Sequence, residues 1–324
     1  MKLLKLIPDN TNIRFLRLRI PFYVISLLLM AASIGLVFSK GLNLGVDFVG
    51  GQMIRVTFAE GSEAPVAELR QDIDALGYGE PIIQRFGEPN EVSIRMKLPE
   101  GSNAKELADQ MTARIVGEVQ ESHPDARIDG VDSVSGKVSD ELFSTGMWAL
   151  GLAMLGISIY IWVRFEWQFG VGALFALLHD VVLTIGLFAL TQMEFDLNIV
   201  AALLTLIGYS LNDNIVVYDR VRENLKKYRK MPLPELLDLS VNETLSRTVV
   251  TSLSLLITLL ALLAFGPDVI FGFTAAITLG IFVGTYSSIF MSTPILIWLG
   301  VTGDSFVPRE SAVDVQDRKA RGEA

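Results

Sequence analysis

Six long apolar stretches organise this chain: residues 20–38, 142–163, 169–190, 197–218, 248–265 and 269–299. About 20 apolar residues in helical form match the thickness of a bilayer's hydrocarbon core, so each stretch predicts a transmembrane helix. The last is longer than one straight crossing requires, and Pro294 predicts a kink or an end near its inner terminus. Between the first two stretches the pattern changes to short alternating and helical segments. "QMIRVTF" alternates like a half-buried strand, and "PVAELRQDIDAL" reads as a helix opened by Pro65 and closed before Gly77 and Gly79. "PIIQRF" and "EVSIRMKL" flank the turn signal "GEPN". A second helix is predicted from an N-cap at Asn103, with Glu106 three residues on, to about Glu121, and "ARIDGVDSV" supplies a last strand. The order βαββαβ predicts an α+β ferredoxin-like domain.

Composition agrees with this division. The 324 residues are 51% hydrophobic, with a mean hydropathy of +0.44. The first apolar stretch follows Lys2, Lys5, Arg14, Arg17 and Arg19, as in a signal peptide. Its length and the lack of a small-x-small site at residues 39–42 favour a retained anchor. Lys and Arg flank alternate ends of the spans: seven lie between Arg220 and Arg247, four between Arg309 and Arg321, and none at 191–196 or 266–268. By the positive-inside rule both termini are cytoplasmic. The predicted organisation is therefore a cytoplasmic N-terminus (1–19), a first span (20–38), an outer domain (39–141), five further spans (142–299) and a cytoplasmic tail (300–324). The segment 41–141 carries 19 Asp and Glu against nine Lys and Arg. Such an acidic surface argues against nucleic acid as a partner. With no Cys there are no disulfides or thiolate metal sites, and no motif for a metal, a phosphate loop or a nucleophilic triad appears. His123, beside Pro124, reads as a solvated residue at a helix end.

Polar residues inside the apolar stretches carry the candidate chemistry, because an ionisable group in hydrocarbon marks an ion or substrate path unless it is paired or hydrated. In "GYSLNDNIVVYDRVREN", Tyr209, Asp213, Val216, Val217 and Arg220 follow a helical period, with Ser210, Asn214 and Gly208 beside them and Asn212 adjacent. Arg247 opens the fifth stretch amid Ser246, Thr248, Thr251 and Ser252; it reads either as a cation snorkelling to the interface or as a partner of Asp213. His179 and Asp180 interrupt the third stretch, either as a structural hydrogen-bonding pair or as part of a proton wire. Asp219 and Arg220 stand at the membrane edge, where local pairing is expected. Ahead of the outer domain, "GLNLGVDFVGG" contains Gly45, Asp47, Gly50 and Gly51, read as a flexible exit from the first helix with Asp47 capping a turn.

Taken together, "GLNLGVDFVGG", "GYSLNDNIVVYDRVREN" and "NETLSRTVVTSLSLLITLL" resemble the SecD/SecF family of protein-export membrane proteins, within the resistance-nodulation-division group. The resemblance spans essentially the whole chain. It implies a non-enzymatic auxiliary of the Sec translocase in the bacterial inner membrane that uses the proton-motive force to assist export. It implies protons and a translocating unfolded polypeptide as what it handles, SecD, the SecYEG channel and YajC as partners, and no cofactor. Asp213 and Arg247 match the family's motif positions, which favours a switched pair over a snorkelling arginine. The glycines 45, 50 and 51 with Asp47 become a candidate hinge for a lever-like outer domain. A proton-driven exporter of small hydrophobic molecules and a passive assembly scaffold are the competing functions. The first usually needs twice as many spans and outer loops, and the second has no need of Asp213.

Overall fold

The computed structural model describes residues 8, 11–59, 61–85, 88–98 and 104–301. Among the described residues, six helices are long and apolar enough to cross a membrane. They are α1 (Arg19–Lys40, preceded by a 3-10 turn at Phe15–Leu18), α5 (Gly136–Arg164), α6 (Trp167–Thr191), α7 (Leu197–Lys227), α8 (Leu233–Phe265) and α9 (Phe271–Ser287) with its continuation. Two of them start well before the apolar stretches that announced them, α5 by six residues and α8 by 15. The α8 extension is amphipathic, with Leu236, Leu237 and Val241 buried, whereas that of α5 is polar and exposed apart from Ser139. A scan for continuous apolar residues cannot see such segments.

The sixth span does not run straight. After α9 a π-helical turn, Ser288–Ser292, leads into α10 (Thr293–Trp298). Pro294 lacks an N–H and its ring cannot sit in an unbroken α-helical ladder, so the irregularity falls in the turn just before it. The carbonyls around this turn have other partners. Ser292 and Thr293 hydroxyls donate to Ser288 O (2.8 Å each), the Tyr218 hydroxyl donates to Ser292 O (3.2 Å), and the Tyr23 hydroxyl donates to Met291 O.

Within the membrane unit the helices are not equivalent. About half of the apolar window of α6, α7 and α9 is buried, against 11–17% for α1, α5 and α8. The first three form the centre and the others flank it. Close approach depends on small residues: α1 places Ser33 where a side chain on Gly186 of α6 would lie, and Leu206 of α7 fills the space a Cβ on Gly280 of α9 would need. Lipid offers no hydrophobic drive between helices, so such backbone-to-backbone packing takes its place.

The inserted α/β domain follows a four-residue helix α2 (Val46–Val49) and is built from β1 (Gly51–Thr57), α3 (Val66–Ala75), β2 (Ile82–Arg85), β3 (Glu91–Met96), α4 (Ala104–Ser122) and β4 (Arg127–Val134). Its antiparallel sheet has the order β2-β3-β1-β4, with one register shift between Arg55 and Val56. Both helices lie on one face. Ile54, Val56, Val92 and Ile94 are fully buried there against Leu69 and Ile73 of α3 and Met111, Ile115 and Val119 of α4. The expected N-cap Asn103 lies outside the described residues, as do Phe86 and Gly87 of the hairpin. His123 is not the solvated residue expected: its ring stands edge-on to Phe58 at 5.3 Å, and its Nε2 is buried without a hydrogen-bond partner.

Candidate functional site

The polar residues of the central helices converge on one buried network. Asp180, on α6, is 1% exposed. Its Oδ2 accepts from Ser210 Oγ of α7 at 2.6 Å and from Ser287 Oγ of α9 at 2.9 Å; its Oδ1 lies 2.9 Å from His179 Nδ1. The Thr184 hydroxyl donates to the Asp180 carbonyl at 2.8 Å. One carboxylate thus joins all three central helices. Gly284 of α9 faces this junction: a Cβ there would sit in ordinary contact, 3.4 Å from Asp180 Oδ2. His179 is fully buried, its Nε2 has no partner, and its ring lies 6.1 Å from that of Tyr286.

Asp213 and Asn214 sit one turn further along α7 from Ser210. Asn214 Nδ2 donates to Ser210 O at 3.0 Å, but its Oδ1 is buried without a partner. Asp213 is 3% exposed, and its Oδ2 is likewise buried and unpartnered. A buried acceptor left without a donor is costly, and more so when it is a carboxylate. Thr248 Oγ1 of α8 is a third such atom. Tyr209 is engaged: its hydroxyl lies 3.0 Å from Ser252 Oγ, which is 2.7 Å from Thr285 Oγ1, a second link across α7, α8 and α9.

Two expected members of the site stand apart. Arg247 is exposed and forms no ion pair among the described residues. Asn212 is exposed on the outer face of α7 instead of joining the buried polar groups. The helical period explains it: a residue next to Asp213 is turned by about 100°, out of the face its neighbour occupies. At the end of the span the expected pairing is present. Arg164 meets Asp219 at 3.0 Å, and Arg220 bridges Glu223 at 2.6 Å and Glu243 at 2.7 Å.

At the other end of α7, the glycine-rich segment is held tightly. Leu44 forms a parallel β-bridge with Phe195; Phe195 N donates to Asn43 O (2.7 Å) and Gly45 N to Phe195 O (2.9 Å). Asp47 does not cap a turn of its own segment. Its Oδ2 accepts from Leu197 N at 3.1 Å, at the first turn of α7, beside the cap that Asp196 makes to Ile199 N at 3.1 Å. Gly50 and Gly51 have φ of +74° and +117°, which disfavour other residues. A Cβ on Gly51 would lie 2.6 Å from Met96 O, and one on Gly50 would lie 3.0 Å from Gly136 Cα. Arg95 of β3 reaches down to donate to Leu44 O and Asn43 Oδ1. Glu194, in the α6–α7 loop, faces Arg95, Asp196, Arg55 and Asp47; burial pushes its carboxyl up from the ordinary range, against the pull of the two arginines.

Sequence reasoning missed Ser287, Thr285, Arg95 and Glu194. The run "TYSSIFMST" in the sixth stretch, with six hydroxyl-bearing residues in nine, was the available signal for the first two. For Arg95 and Glu194, 99 residues apart, no local pattern exists. Among the described residues, no group of three or more His, Cys, Asp and Glu could hold a metal ion.

Six spans around a polar interior, with one α/β domain inserted after the first, define a multi-pass membrane protein of the transport class. The model for "Protein export membrane protein SecD/SecF, C-terminal" matches residues 115–302, and the "SecD/SecF GG Motif" matches residues 35–61. Among curated relatives, the protein translocase subunit SecF of Cereibacter sphaeroides is 44% identical over 302 residues, covering 92% of this chain and 93% of its own. That of Pseudomonas aeruginosa is 37% identical, covering 95% and 98%. The crystal structure of SecDF, a translocon-associated membrane protein from Thermus thermophilus, matches with a TM-score of 0.80 at 34% identity over 91% of this chain. SecDF in its super-membrane-facing form matches with a TM-score of 0.65 at 32% identity over 97%. The chain spans 39% and 40% of those two SecDF chains. It belongs to the SecD/SecF protein-export family.

Proposed function

We propose that this protein is the SecF-type subunit of the Sec translocase, which, together with SecD, draws on the proton-motive force to assist export across the bacterial inner membrane. The observation that carries the reading is Asp213: a carboxylate 3% exposed among apolar helices, with an oxygen that no protein group satisfies. Protonation removes the charge that makes this burial costly. A proton crossing 100 mV releases about 2.3 kcal/mol, so a few protons suffice to drive a repacking of α7 against its neighbours. Arg247, on the neighbouring helix α8, is the proposed counter-charge that Asp213 holds when ionised and releases when protonated. The buried Asp180–His179 pair, linked to α7 through Ser210, is placed with Asn214 and Tyr209 on the proposed proton route.

In this reading the outer domain (39–141) is periplasmic, both termini are cytoplasmic, and 300–324 is a cytoplasmic tail. The sheet order and the two helices on one face support its assignment as a ferredoxin-like sandwich. A partner with similar spans is supported by polar residues facing outward within the membrane: Thr205, Gly208 and Asn212 on α7 and Thr251, Ser254 and Thr258 on α8 are exposed. Helix–helix contact in lipid uses such small and hydroxyl residues. SecD is the partner this surface would meet; the SecYEG channel, YajC and the unfolded substrate chain follow from the family. Asp213→Asn, at normal abundance and still bound to SecD, is expected to lose proton-dependent stimulation of export in vesicles. Unimpaired stimulation would overturn the proposal.

A further inference from the structure

We infer that the glycine-rich segment 41–51 is a rigid strut, and that the outer domain and α7 are displaced as one body, with Asp47 as the capping residue that joins them. The inference rests on the export role proposed above. It goes beyond it by assigning the segment a mechanical part, and it reverses the flexible-hinge reading.

Three contacts carry it. The first is the β-bridge of Leu44 with Phe195, closed on both sides by backbone bonds and reinforced by Asn43 Nδ2 donating to Gln192 O (2.9 Å) and Gln192 Nε2 donating to Gly41 O (3.2 Å). Two residues beyond Phe195, α7 begins. The second is Asp47 Oδ2, which accepts from Leu197 N, so a side chain of the strut satisfies an otherwise orphaned first-turn amide of the helix that bears Asp213. The third lies on the domain side. Arg95 of β3 holds Leu44 O and Asn43 Oδ1, Ser139 Oγ of α5 donates to Val46 O at 3.1 Å, and β1 starts at Gly51, directly after the strut.

A hinge needs slack, and from Gly45 to Gly51 the backbone is closely packed. Gly50 and Gly51 abut the backbone of Gly136 and Met96, and Gly45 abuts Glu194 and Asp196. The glycines here permit contact; they do not supply motion. A shift of α7 along its axis would pull Leu197, Phe195 and Leu44 together, and through Arg95 and Gly51 would turn the sheet.

Because the chain contains no Cys, the double variant Leu44→Cys with Phe195→Cys places a single disulfide across the bridge, where paired strand residues lie within bonding range. In vesicles containing SecD, export by the oxidised protein is expected to equal export by the same protein after reduction. Export that stops on oxidation and returns on reduction would overturn the inference, since the clasp would then have to open in each cycle. Should the double variant fail to accumulate, Asp47 decides. Asp47→Asn keeps a capping oxygen and is expected to retain export, while Asp47→Ala is expected to lower it. Equal behaviour of the two variants would overturn the capping role. Asp213→Asn in the same assay keeps the two readings apart: normal export there would retire proton coupling while leaving the oxidised-to-reduced ratio readable.

Discussion

The inserted α/β domain and the membrane unit solve the same packing problem with opposite materials. In the inserted domain, Ile54, Val56, Val92, Ile94, Ile73 and Ile115 are fully buried and the charges face outward. In the membrane unit the centre holds Asp180, His179, Ser210, Asn214, Thr274, Ser287 and Thr293, while Leu28, Trp148, Val163 and Phe265 face outward. Water drives the first arrangement, since apolar area leaves it on folding. Lipid cannot drive the second, so the helices are held by close backbone approach and by hydrogen bonds. One arrangement gives a mainly aliphatic centre; the other gathers the ionisable Asp180, His179 and Asp213 among packed helices.

The hardest test of this contrast falls on the seam between the regions. Gly50→Pro with Gly51→Pro demands φ near −65° where the backbone is at +74° and +117°. We expect loss of assembled protein, measured as SecD co-purification; a stable, assembled variant would show that the seam tolerates rearrangement. Next in size is Ile94→Ala, which opens a cavity in the aliphatic core. It should cost about 2–5 kcal/mol of inserted-domain stability by the usual large-to-small penalty. Protease protection of the spans should be unchanged, and a collapse of both regions together would mean they fold as one unit.

Smaller effects probe the polar side. Arg247→Lys retains the charge but changes reach and donor geometry. With Arg247 as the counter-charge of Asp213, export should fall several-fold at unchanged abundance, whereas full activity would return Arg247 to the role of an interfacial anchor. The smallest effect concerns Glu194. Burial raises its carboxyl above the ordinary value, with Arg95 and Arg55 opposing and Asp196 and Asp47 assisting. A raised carboxyl is destabilising where it is ionised, and the penalty disappears as pH falls through its folded-state value. The purified protein should therefore gain thermal stability as pH falls toward the ordinary carboxylate range, and Glu194→Gln should flatten that gain. An identical pH response in both proteins would remove Glu194 as its source.

Much of this architecture was legible in the one-dimensional pattern. Apolar runs of bilayer length announced six spans, alternating segments announced four strands, and the isolated Asp213, His179 and Asp180 stood out because hydrocarbon penalises them wherever they point. These are local signals, set by period and by solvent, and they survive without a fold. What the tertiary structure decided is which of those groups meet. Asp180 was visible, but its partners Ser210 and Ser287 lie 30 and 107 residues away. Asn212 and Asp213 are neighbours in sequence and opposites in exposure. Asp47 read as a local turn cap until α7, 150 residues on, supplied the amide it accepts from. Glycines at 50 and 51 suggested freedom, and only the carbonyl of Met96 and the backbone of Gly136 turned them into points of contact. Hydrogen bonds are short-ranged and directional, so sequence can name a donor or acceptor, but the packing of distant helices selects its partner.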